Sequence, residues 1–163
     1  MLRESAWSRT GTPIEIGDLS ETESMEYLKK SKIDEESARQ LYELVGGRIM
    51  ELKSVVDKVL GGQPFNNIKQ DIFIKVKKTL RTAKIFKNYE YHNVGKRILR
   101  ASLNSRELVH EAFEEFFNKP DEANEVLGYN VFTYHLVKDT VTFQSCSVKY
   151  YVQDNTDVFL RCL

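Results

Sequence analysis

Hydrophobic positions recur every three or four residues through the first part of the chain, and paired glycines cut the runs. Ser20-Glu21-Thr22-Glu23 reads as a capping box: the Ser20 hydroxyl can accept from the Glu23 N–H while the Glu23 carboxylate reaches back to the cap. Met25, Tyr27 and Leu28 give the helix it opens an apolar face. Asp34-Glu35-Glu36 starts a second helix, with acids at the end the helix dipole favours, and Ala38, Leu41, Tyr42 and Val45 form its buried stripe. Gly46-Gly47 ends that helix. Ile49, Leu52, Val55, Val56, Val59 and Leu60 mark a third, stopped by Gly61-Gly62, and Pro64 sets a boundary. Ahead of these, Ile14-Glu15-Ile16 is a short strand-like stop before Gly17. Met1 to Pro13, holding the lone Trp7, reads as a loop.

A longer helix is expected from Ile68 to about Tyr89, with Ile72, Val76, Leu80 and Ala83 on one face. His92 to Ser102 predicts another, and Ser105 to Phe117 a third whose core side is Leu108, Val109, Ala112, Phe113, Phe116 and Phe117. Pro120-Asp121 opens a short element ending at Gly128. The period then changes to two: a strand over Val131–Val137, a two-residue turn at Lys138-Asp139 and a strand over Val141–Ser145. From Ser147 onward the pattern suits a helix through Val148, Tyr151 and Val152, and a strand through Tyr150-Tyr151-Val152. The expected fold is mainly α. Helix, helix, short helix and hairpin is the order of a winged helix-turn-helix.

Composition narrows the classes. Of 163 residues, 41% are hydrophobic and 29% charged, with few glycines and prolines, which fits a folded, helix-rich chain and excludes a disordered or repetitive one. No apolar run approaches the roughly 20 residues that span a bilayer, and no basic start leads into an apolar stretch. The expectation is therefore no membrane partner and no secretory leader. Cys146 and Cys162 have no C-x-x-C spacing and read as reduced thiols of an intracellular protein, cytoplasmic or nuclear. His92, His110 and His135 are scattered, which predicts no metal site.

Phosphate chemistry is the first to weigh. A P-loop needs backbone N–H groups around the phosphates and a lysine against their charge, in the pattern G-x-x-x-x-G-K-[ST]. The chain has no such run, and no apolar run ending in Asp-Glu to hold magnesium. ATP hydrolysis by this chain alone is excluded on that chemistry. Gly46-Gly47-Arg48 is the more informative run. A glycine pair lets backbone approach a ligand closely, and an arginine at a helix start can face an anion together with free N–H groups. The bland reading is a helix cap beside a solvated arginine.

Trp7-Ser8-Arg9, Ile14 to Ser20, Tyr27-Leu28-Lys29-Lys30 and Leu41-Tyr42-Glu43-Leu44-Val45-Gly46-Gly47-Arg48 together resemble the C-terminal end of an archaeal-type AAA+/STAND P-loop ATPase module. Similar modules accompany fungal and oomycete Crinkler-type effectors, although this chain has no effector-end signature. The resemblance covers nearly the whole chain. It implies a remnant loop of an upstream ATPase core (1–14), a helical lid subdomain (15–64) and a winged-helix domain with a C-terminal β-hairpin (65–163). It implies nucleotide-sensing roles for Gly46, Gly47 and Arg48 in the lid and for Arg9 after the core. Ile49 stands where many relatives carry proline. ATP and magnesium are then implied only with an upstream P-loop core, that core or another protein is the partner, and the chain by itself is no enzyme.

Nucleic acid is the alternative partner. Between Asn66 and Arg106 there are eleven bases and two acids, a net of +9. The candidates for phosphate contact are Lys75, Lys77, Lys78, Arg81, Lys84, Lys96, Arg97 and Arg100. Against this, the element in the recognition position carries Asp121, Glu122 and Glu125. The helix before it carries Glu107, Glu111, Glu114 and Glu115, and carboxylates are repelled by a phosphate groove. The basic stretch then serves the acidic helices or an acidic partner. A third class is an interaction module with no ligand. Cys146 has no histidine nearby in sequence, although His135 could reach it across the hairpin, and the expectation there is an inert core thiol. The aromatics Phe113, Phe116, Phe117, Tyr129, Phe132 and Phe143 read as core.

Overall fold

The computed structural model describes residues 17–159. The loop expected over Met1–Pro13, the stop at Ile14–Ile16, Arg9 and Cys162 lie outside the described residues. The fold is mainly helical with a small antiparallel sheet: α1 (Glu21–Lys30), α2 (Glu35–Val45), α3 (Ile49–Leu60), α4 (Phe65–Thr82), α5 (His92–Asn104), β1 (Leu108–Val109), α6 (His110–Glu114), α7 (Pro120–Leu127), β2 (Phe132–His135), β3 (Thr140–Phe143), α8 (Cys146–Asp154) and α9 (Thr156–Phe159). None of the described helices is long and apolar enough to cross a membrane.

The first three helices form where the local chemistry places them. Ser20 caps α1 reciprocally: its Oγ accepts from Glu23 N at 3.3 Å, and its own N–H donates to Glu23 Oε2 at 2.8 Å. Asp34 accepts from Ser37 N at 2.9 Å and caps α2. Leu28, Leu41, Leu44, Leu52 and Val55 from these helices are buried.

The second half departs from the periodic reading in three places. The helix expected to run to Tyr89 ends at Thr82, because Lys84 and Asn88 adopt left-handed backbone, with φ 59 and 71. The chain then turns so that Ile85 is fully buried, set directly against Gly95 of α5. The helix expected over Ser105–Phe117 is instead a two-residue strand followed by one short helix. Leu108 and Val109 pair with Val141 and Thr140, giving a three-stranded sheet in the order β1-β3-β2. The hairpin strands are shorter than expected and joined by residues 136–139, with Asp139 at φ 53; Leu136 and Val137 fall in that loop, 68% and 64% exposed. The ambiguous tail is helical as far as it is described.

That tail completes the core. α8 packs on both α2 and α4, with Tyr151 edge-on to Phe73 at 4.9 Å and to Phe159 at 6.2 Å. Buried residues from α1 through α9 belong to one hydrophobic cluster. The position between residues 64 and 65 therefore separates elements that share a core.

Candidate functional site

The turn between α2 and α3 is built by its two glycines. Gly46 sits at φ +69, and a Cβ there would lie 2.3 Å from Cys146 Sγ. A Cβ on Gly47 would lie 1.9 Å from the Leu19 carbonyl oxygen, since Leu19 N donates to Gly47 O at 2.8 Å. The close approach that the glycines permit is thus made by Leu19 and Cys146 of this chain.

Arg48 follows as the N-cap of α3, with no side-chain cap of its own. Its Nη2 donates to the Gln144 carbonyl at the end of the hairpin. Two carboxylates stand off at longer range, Asp18 at 3.8 Å from Nε and Glu51 at 3.8 Å from Nη1. Glu51 accepts from Ser147 Oγ at 3.2 Å. Burial pushes the Glu51 carboxyl above the ordinary carboxylate range, and Arg48 and the Ser147 bond offset part of that rise.

Arg48, Glu51, Gln144 and Ser147 form one wall of a cleft of about 380 Å³ between α3, α4 and the β3–α8 junction. Arg48, Lys58 and Lys75 bring positive charge to it, Glu51 negative charge, and Ser54, Thr79, Asn130 and Ser147 polar groups. Lys58 is tied to Asp71 at 2.8 Å. The cleft brings together Arg48, a candidate for nucleotide sensing, and Lys75, a candidate for nucleic-acid contact.

The other basic candidates divide. Lys78 lies exposed on α4 and Arg100 exposed on α5, with Lys96 half-buried. Lys77 and Arg81 lie over the Phe86 ring at 5.6 and 5.3 Å from its centre. Lys84 pairs with Glu125 at 2.9 Å and Glu90 at 3.4 Å, which raises its pKa. Arg97 donates to the Phe116 carbonyl at 3.0 Å. Lys77, Arg81, Lys84 and Arg97 therefore have bonding or packing roles inside the fold.

Packing against Gly46 desolvates the Cys146 thiol and pushes its pKa up, although the residue as a whole is exposed. His135 shares a 2.8 Å contact with Thr142 Oγ1. Among the described residues no group of three His, Cys, Asp or Glu side chains could hold a metal ion. Phe113, Phe117 and Phe132 are buried, and Phe132 stacks on Phe143 at 5.9 Å, so these aromatics are core.

Sequence reading missed Gln144, Glu51 and Asp18 as the partners of Arg48. Gln144 acts through its backbone carbonyl, which any residue type supplies, so composition carried no signal for it. No family model, curated protein or solved structure matches this chain.

Proposed function

We propose that the chain is the lid and winged-helix part of an AAA+/STAND-type ATPase, a regulatory piece that closes over a nucleotide held by a P-loop core elsewhere and is not itself an enzyme. The element order α5, β1, α6, α7, β2, β3 and the sheet order β1-β3-β2 support a winged helix, with residues 136–139 as the wing. In the recognition position, α7 presents Asp121 and Glu122 in its first turn, which favours a protein partner over a phosphate backbone.

One observation carries the reading. Arg48 stands at an uncapped helix start, donating to a carbonyl of the hairpin end and facing two carboxylates only at 3.8 Å. An incoming phosphate offers a stronger acceptor than either carboxylate does at that range. Exchange of partners at Arg48 then transmits the nucleotide's presence to the winged half through Gln144.

Calorimetry with ATP tests this. The chain alone should show no micromolar binding. In a polypeptide that carries a P-loop core upstream, Arg48→Ala should weaken nucleotide binding by about tenfold, the worth of a charge-assisted hydrogen bond. Micromolar binding by the chain alone, or an Arg48→Ala variant with unchanged affinity in the longer protein, contradicts the reading. A salt-sensitive shift of duplex DNA, lost on Lys77→Glu with Lys78→Glu, supports the nucleic-acid alternative instead.

A further inference from the structure

The chain's zero net charge hides a segregation. Residues 66–106 carry a net +9, whereas residues 107–125 hold seven acids and one lysine, a net of −6. Each charged region adjoins exposed apolar surface. On the acidic side the wing tip offers Leu136 and Val137, 68% and 64% exposed. Glu107 reaches the wing through Thr140 at 3.2 Å and Lys138 at 3.7 Å, and His110 links Glu114 and Asp139, each at 3.7 Å. The wing tip thus sets Leu136 and Val137 beside Lys138 and the carboxylates of Glu107, Glu114 and Asp139, an acidic excess.

On the basic side, α4 and α8 enclose a groove of about 310 Å³ lined by Gln70, Phe73, Ile74, Lys77, Tyr151 and Asp154 among others. Ile74 on its rim is 66% exposed. Lys77, Lys78 and Arg81 follow along the same helix, and Asp154, the acid in the groove, is paired with Lys69 at 3.3 Å. Phe73, Ile74 and Tyr151 give the groove an apolar strip, Gln70, Asp154 and Asn155 its polar part and Lys77 its positive edge, with Lys78 and Arg81 further along α4; the strip and the lysines complement the apolar residues and carboxylates of the wing.

We infer that these two surfaces dock on one another between copies of this chain, the wing of one inserting Leu136 and Val137 into the α4–α8 groove of the next. The contact is head-to-tail, because the two patches differ and neither is complementary to itself. Charge complementarity orients the encounter and makes it salt-sensitive, and the apolar tip supplies contact area. This inference does not depend on the nucleotide reading.

Sedimentation velocity on three samples tests it. The wild-type chain should associate further as its concentration rises at low salt, and dissociate at high salt. Val137→Asp spoils the wing and Ile74→Asp spoils the groove; both sites are exposed, so each variant should keep the wild-type circular dichroism and sediment as a monomer. An equimolar mixture of the two retains one intact wing and one intact groove, and should form dimers and nothing larger. If Ile74→Asp misfolds, Lys77→Glu with Lys78→Glu replaces it and should also abolish association of the chain with itself; if Val137→Asp misfolds, Leu136→Asp, 68% exposed, replaces it as the wing variant. A wild-type chain that stays monomeric at high concentration and low salt overturns the inference, as does association that neither set of groove substitutions reduces. A mixture that stays monomeric while the wild type associates overturns the head-to-tail contact.

Discussion

A methyl group added at Gly47 would have to enter space held by the Leu19 carbonyl, 1.9 Å away, and that oxygen belongs to backbone already fixed by the bond from Leu19 N. Relief requires parting the segment before α1 from the turn before α3. Gly47→Ala should therefore cost roughly 2–3 kcal/mol, while Gly17→Ala, whose Cβ meets nothing within 4 Å, should stay within about 0.5 kcal/mol of wild type. Urea unfolding of both variants measures the difference, and equal midpoints would refute the close approach. The glycine pair was legible as punctuation, because only its end-of-helix role is local. What occupies the space beside it was not legible, since Cys146 lies a hundred residues away along the chain. Arg48 stood out in the sequence for its place at a helix start, but its strongest bond goes to a carbonyl that carries no side-chain identity.

At the level of elements, Glu125 is the latch between α7 and the end of α4. It accepts from Lys84 Nζ at 2.9 Å and Tyr91 Oη at 2.8 Å. Those bonds, from Lys84 first and Tyr91 second, hold its carboxyl below the usual value of 4.5, and burial, with the same contact second, raises the Tyr91 phenol to about 12. A carboxyl depressed on folding stabilises fully above its unfolded pKa, and that stabilisation fades as pH falls through the folded value. Thermal unfolding of the wild type should drop more steeply than that of Glu125→Gln below about pH 4.5. Parallel curves would mean that the latch does not form. Glu125 was read in the sequence as an acid of the recognition position that a phosphate groove would repel, and its particular lysine partner was not singled out. The helices of the first half were legible because capping and periodicity are both local, as at Ser20 and Asp34. β1 was not: Leu108 and Val109 fit a helical stripe as well as a strand, and only the distant edge of β3 decides between them. The end of α4 was hidden for a related reason, as Lys84 and Asn88 take left-handed backbone that the burial of Ile85 stabilises.

Across the whole molecule, a continuous core joins elements assigned from the sequence to two regions. α8 packs against α2 and α4, and the hydrophobic cluster runs from Leu28 to Phe159. A change at the α2–α3 turn is therefore well placed to be felt at the hairpin, and Arg48, beside the Glu51–Ser147 bond, is a polar link that spans the distance, from the N-cap of α3 to the end of the sheet. The order of helices and hairpin could be read along the chain, but this link could not, because it depends on the tail folding back as a helix. Amide hydrogen exchange on wild type and Arg48→Ala tests the coupling directly. Loss of the guanidinium should speed exchange at residues 144–148 by about tenfold or more, while the amides of α1 and α5 keep their wild-type rates. Unchanged exchange at residues 144–148, or an equal rise throughout the chain, would contradict Arg48 as the coupling between the two halves.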